Sequence, residues 1–145
     1  GVSMITLHAR TKNQAREGNS DWNKIKLLKE KLNIPVIGNG DLNYPEDIVK
    51  MLNETNCDYV MIARSAARNP YLFRQTLDYM KKGKYKEADN LKDLRKYLKL
   101  AEKYNPNFKF VLNHAMYMSK GAKGGAKLRA SLNRCKTIED IRKVI

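Results

Sequence analysis

Apolar residues fall along this chain in two rhythms. Up to about residue 80, short apolar runs alternate with longer amphipathic stretches. Residues 2–7 (VSMITL), 34–38 (IPVIG) and 58–62 (DYVMI) are compact and partly β-branched, and read as buried strands. Pro35 lies near the start of the second run, where a missing N–H donor is tolerated. Between the runs the spacing turns helical. Trp22, Ile25, Leu28 and Leu32 share one face of a helix over 22–32, with Ser20 or Asp21 placed to cap it. Ile48, Val49 and Leu52 define a helix over 45–54 with Pro45 in its first turn, and Pro70 opens a third helix through Met80.

The order is strand, loop, helix, three times over. The strands begin 32 and 24 residues apart, the rhythm of parallel βαβ units with right-handed crossovers. Runs that are apolar on both faces are those expected of a sheet covered by helices. After Lys81 the strand signal ends. Tyr85, Ala88, Leu91, Leu94, Leu98 and Ala101 predict an amphipathic helix over 85–104, which Asn105-Pro106 breaks. A second helix is expected over 108–119, a flexible turn over 121–125 (GAKGG) and a third helix over 126–133. Thr137 with Asp140 three residues on resembles a capping box for a last helix carrying Ile138, Ile141 and Val144. The expected fold is α/β followed by an all-α four-helix unit, divided near the KKGK segment into 1–82 and 83–145. The opening residue is Gly1 and runs straight into an apolar stretch, so we expect the sequence to be part of a longer product.

Charge changes this picture. Residues 1–70 carry 10 basic and 8 acidic side chains, whereas 71–145 carry 19 and 7. From 105 to 136 there are seven basic residues and no acidic one. Such a concentration attracts a polyanion, with nucleic acid the leading candidate, a solvated face the plain alternative, and no strongly apolar face for a membrane surface. No apolar run approaches the ~20 residues needed to cross a bilayer. The two cysteines, Cys57 and Cys135, form no CxxC pair, so a disulfide framework or zinc site is not expected and a reducing intracellular compartment is the default.

In parallel α/β folds the working groups sit in loops after the strands. Three such loops are polar here: His8-Ala9-Arg10-Thr11, Gly38-Asn39-Gly40-Asp41 and Ala63-Arg64-Ser65-Ala66. Gly38 and Gly40 permit a tight turn and close backbone approach, and small residues flank Arg64. Both loops precede expected helix N-termini, which favour an anion. The functional reading is a phosphate site for a phosphorylated cofactor, with Arg64 as a charged fork and Asp41 either accepting from a ligand hydroxyl or holding the turn. The alternative is a pair of ordinary βα turns. His8 is placed to bond a ligand carbonyl or ring nitrogen, or is a structural histidine at a strand end. Arg10 reaches a ligand phosphate or a nucleic-acid strand, or is a surface arginine. Trp22 fits core spacing. No HExxH, Walker loop or Ser/His/Asp grouping is present, and no metal site is expected. In the helical part, His114, Tyr117, Lys120, Lys123, Lys127 and Arg129 fall in one basic stretch that could contact phosphates and stack on unpaired bases.

The ordered set L-H-A-R-T, S-D-W-N-K-I, I-P-V-I-G-N-G-D and D-Y-V-M-I-A-R-S-A-A-R-N-P-Y-L-F closely resembles the second half of tRNA-dihydrouridine synthases. N-H-A-M-Y-M-S-K-G-A-K-G-G-A-K-L-R resembles that family's helical-domain motif. The resemblance covers nearly the whole chain. It implies the last three β/α units of an FMN-binding TIM (β/α)8 barrel, then a small helical tRNA-binding domain. It implies an oxidoreductase in which NADPH reduces FMN, FMN delivers a hydride to C6 of uracil in tRNA, and a cysteine protonates C5. By the resemblance, Asn39, Gly40 and Asp41 match the FMN loop, Ala63 and Arg64 the phosphate-binding pair, and His8 a flavin contact. The helical domain, with Lys120 and Arg129, resembles the part that grips tRNA, and the reading of the residues themselves adds Arg10, His114, Lys123 and Lys127 as expected tRNA contacts.

The chain departs from that pattern at Ala9, Ala63 and Ser65, which stand where the family has glycine. The first five β/α units are outside it, and with them the general-acid cysteine, so no catalytic residue is assigned and the chain by itself is expected to be inactive. The missing half of the barrel, or a second copy, is the expected cover for its sheet edges, and the expected location is cytoplasmic. Two other readings compete: a non-catalytic RNA-binding module, and another FMN- or phosphate-binding barrel oxidoreductase acting on a small molecule.

Overall fold

A computed structural model describes residues 1–145 except Ala15, Arg16, Gly121 and Lys123. The described residues form three strands and eight helices. Strands β1 (Ile5–His8), β2 (Val36–Asn39) and β3 (Tyr59–Met61) pair in parallel in the order β1-β2-β3. The first run yields a shorter strand than expected: Val2 and Met4 are exposed and lie outside β1. Helices α1 (Trp22–Lys31) and α2 (Pro45–Thr55) return the chain between strands. Asp21, not Ser20, caps α1, accepting from the Asn23 N–H. Asn56 ends α2 in the left-handed region, which asparagine tolerates better than most residues.

The expected loop over 63–69 contains a short helix, α3 (Arg64–Arg68), and α4 begins at Leu72 and runs to Lys82. The helix expected from Pro70 is α4, which starts two residues later than Pro70; α3 is an addition within the expected loop.

Register explains how the sheet presents its side chains. Ile5, Leu7, Val36, Gly38 and Val60 lie in the rows that face α1 and α2, and they pack with Ile25, Ile48, Met51 and Leu72 in one core. Gly38 is required there: a Cβ would stand 2.6 Å from Met51 Sδ and 3.1 Å from Cys57 Sγ. The alternate rows, Thr6-Ile37-Tyr59 and His8-Asn39-Met61, form the opposite face. Thr6, Tyr59 and Met61 are exposed on it. Helices cover one face of the sheet among the described residues.

The chain divides into two compact units, Gly1–Ser65 with Leu72–Lys86, and Ala66–Tyr71 with Glu87–Ile145. In the second, α5 (Asn90–Tyr104), α6 (Phe108–Met118), α7 (Gly125–Leu132) and α8 (Ile138–Val144) surround Leu94, Leu98, Val111, Ala115, Met118, Leu132 and Ile141. Helix α5 starts at Asn90 rather than Tyr85, because Asp89 caps it by accepting from the Lys92 N–H. Tyr85 instead packs edge-on against Tyr79 and donates to Glu46 in the first unit. The capping box at Thr137 and Asp140 is present.

Candidate functional site

The C-terminal ends of the three strands lie in one row, His8-Asn39-Met61, so the loops that follow them leave the same edge of the sheet. Two of these loops are tied together by side chains. The buried Asn39 amide donates to the Met61 carbonyl at 2.5 Å, and the Ser65 hydroxyl donates to the Leu42 carbonyl. The turns at 39–41 and 63–64 are therefore neighbours. Ala63 and Arg64 are exposed beside them, and among the described residues no ion pair claims Arg64. Helix α3 spans five residues, too few for its N-terminus to act as an anion site, so the feature available to an anion here is the Arg64 guanidinium.

The turn after β2 is unusual in its backbone. Gly40 has φ +129° and Asp41 has φ +56°. A Cβ at Gly40 would meet Ser20 Oγ at 2.6 Å and Ser20 Cβ at 2.8 Å, so glycine is demanded twice, by conformation and by space. His8 Cε1 lies 3.9 Å from that same point.

Asp41 takes part in a dense set of bonds. Arg10 Nη2 donates to both of its oxygens, at 2.7 and 2.6 Å, and the Ser20 N–H donates to Oδ2 at 2.7 Å. The Arg10 side chain is 10% exposed, and its buried Nε has no hydrogen-bond partner. Trp22 Nε1 donates to the Gly40 carbonyl and to Ser20 Oγ, each at 3.1 Å. Burial pushes the Asp41 carboxyl up. The Ser20 backbone N–H and the Arg10 guanidinium outweigh it and hold the group below the ordinary aspartate value. Trp22, expected as core, is half-buried and acts as a clamp on the turn. Ser20 and Trp22 were legible only as a cap and a core residue, because their partners are distant in sequence.

A phosphorylated cofactor fits part of this arrangement. Arg64 and His8 are exposed at the shared edge, and Gly40 keeps the turn slim. Asp41 holds Arg10 and the Ser20 N–H, and its side chain stays 28% exposed.

The helical candidates are placed separately, in the second unit. His114 stacks on Tyr97 with centroids 4.7 Å apart and planes 23° apart, so one face of its ring is covered. Lys120 is exposed, with Nζ 5.1 Å from the Tyr117 ring centroid. Lys127 is exposed. Arg129 is half-buried and donates to the Ser119 carbonyl at 3.4 Å, close to where Gly125 lets α7 begin against the end of α6. Lys123 lies outside the described residues. Both cysteines are buried and unpaired, and burial, reinforced by Asp140, pushes the Cys135 thiol up. Among the described residues no group of His, Cys, Asp or Glu could hold a metal ion, and no helix is long and apolar enough to cross a membrane.

A parallel β/α sheet whose strand ends converge on one polar, glycine-shaped edge defines the class: a β/α protein with its site at the C-terminal ends of the strands. Within that class, the chain belongs to the dihydrouridine synthase (Dus) family, whose family model matches residues 1–144. It is a TIM-barrel family, and the three parallel strands with their helices are consistent with part of such a barrel. Similar proteins include a probable tRNA-dihydrouridine synthase of Rickettsia bellii, 32% identical over 140 residues that cover 92% of this chain and 43% of that protein. A probable tRNA-dihydrouridine synthase of Aquifex aeolicus is 44% identical over 75 residues, 52% of this chain and 24% of that protein. tRNA-dihydrouridine synthase B of Pasteurella multocida is 42% identical over 74 residues, 51% of this chain and 22% of that protein. The chain thus spans less than half the length of the curated relatives it matches.

Proposed function

We propose that this chain is the C-terminal part of a flavin-dependent tRNA-dihydrouridine synthase. Residues 1–82 supply the last three β/α units of an FMN-binding barrel, and 83–145 form a helical domain that grips tRNA. The observation that carries the reading is the pairing of the turns at 39–41 and 63–64 on one sheet edge, beside an exposed Arg64.

Arg64 and the backbone at Ala63 and Gly40 hold the FMN phosphate, and His8 contacts the flavin from the end of β1. When bound, FMN supplies the hydride, drawn from NADPH, that saturates the 5,6 bond of uracil. The proton for C5 falls to a cysteine outside this chain, since Cys57 and Cys135 are buried. The basic second half, through Lys120, Lys123, Lys127, Arg129 and His114, contacts the tRNA, which steers and orients the target base toward the barrel mouth. Arg10, largely buried against Asp41, braces the same edge. The open sheet face bearing Tyr59 and Met61 is covered by the preceding β/α units, because an uncovered apolar face and unpaired edges are unfavourable in water. A tRNA substrate implies a cytoplasmic location.

The test is to assay the intact protein containing this chain with unmodified tRNA, NADPH and FMN, reading flavin absorbance and dihydrouridine by mass. We expect flavin uptake and product from the intact protein and no product from the 145 residues alone. An intact protein with neither flavin nor product, or turnover by the 145-residue chain, contradicts the proposal.

A further inference from the structure

Asp41 is placed among candidate cofactor contacts, yet its bonds lead elsewhere. Both carboxylate oxygens are occupied by Arg10 Nη2, and Oδ2 also takes the Ser20 N–H. The residue itself sits at φ +56°, directly after a glycine whose carbonyl is clamped by Trp22. Backbone bonds reinforce the same junction: the Ala9 N–H donates to the Asn39 carbonyl and the Asp21 N–H to the Ala9 carbonyl. The loop after β1 and the turn after β2 are thus bolted together through one carboxylate.

Resting on the flavin-site reading above, we infer that Asp41 is a positioning residue: it contacts no cofactor atom and instead fixes the Arg10 guanidinium and the Gly40 turn at the sheet edge. Two charge-assisted bonds from one guanidinium nitrogen to the two carboxylate oxygens fix where that end of Arg10 lies. Arg10 is held by Asp41 through Nη2 alone, and its Nε is buried without a partner, so the carboxylate is the one side-chain partner found for it among the described residues. Without Asp41 the guanidinium is charged, nine-tenths buried and unpaired, so it must move or draw in water. The turn loses its anchor to Ser20 in the same step.

Positioning and direct contact differ in how substitutions combine. In the intact protein, FMN affinity and the visible circular dichroism of the bound flavin are measured for Asp41→Asn, Arg10→Met and the double variant. Positioning predicts that Asp41→Asn weakens FMN by roughly tenfold and changes the flavin dichroism, and that the double variant is no worse than the weaker single, a coupling of the size seen between contacting residues. Multiplying losses with an unchanged dichroism overturn the inference while leaving the flavin site standing. An unsubstituted protein that takes up no FMN overturns both. If Asp41→Asn does not fold, Arg10→Lys is read in its place, since it keeps the positive charge but not the shape and reach of the guanidinium. A weakened affinity with altered dichroism supports positioning, and an unaltered flavin overturns it.

Discussion

At the scale of single residues, the account turns on groups whose partners are far away in sequence. Asp41 was legible as either a ligand or the holder of a turn, and the structure places Arg10 and Ser20 on it, 31 and 21 residues earlier. Nothing in local spacing announces such a pair, because the loops meet only once β1 and β2 are in register. The glycines were more legible: G-N-G-D signalled a turn needing positive φ, although the space filled by Ser20 was not visible in it. The depressed pKa of Asp41 has a consequence for stability. With the folded value below the unfolded one, the unfolded state binds more protons as pH falls toward and below the ordinary 3.8. The contribution is complete above that value and is lost as pH drops through the folded pKa. Urea unfolding of the intact protein between pH 6 and pH 3 should therefore show a loss on the acid side that is smaller in Asp41→Asn. An identical acid profile for both proteins contradicts the assignment.

At the scale of elements, the hydrophobic rhythm revealed three strands and the helices between them because a period of two or 3.6 is a local property. It missed what local rhythm does not encode. Short α3 hid in a run of small and basic residues, and α5 began five residues later than its apolar pattern because Asp89 supplied the cap. Apolar residues such as Tyr59 and Met61 stand exposed on the other face of the sheet, a surface suited to burial. The cap of α8 was readable from sequence, and it yields a simple check. Thr137 accepts from the Asp140 N–H, so Thr137→Ala should cost about 1 kcal/mol in urea denaturation. An unchanged midpoint would show that the cap is dispensable.

At the scale of the whole molecule, the charge asymmetry and the family point the same way. A net excess of basic residues in 71–145 favours a polyanion, and under the proposed function that polyanion is tRNA. Binding of tRNA to the intact protein should then weaken linearly in a log-log plot against salt. Lys120→Ala and Lys127→Ala should each flatten that slope by roughly one. A slope untouched by both substitutions would place the tRNA elsewhere. Arg64 stands at the edge where the strands end, exposed and without an ion pair among the described residues, which makes it the residue to change there. FMN titration of the intact protein and of its Arg64→Ala variant, with folding checked by far-ultraviolet dichroism, is the decisive measurement. The account predicts a folded variant whose flavin affinity falls by about tenfold or more, the scale of one lost charge-assisted pair. A folded variant that binds FMN as tightly as the parent would contradict it.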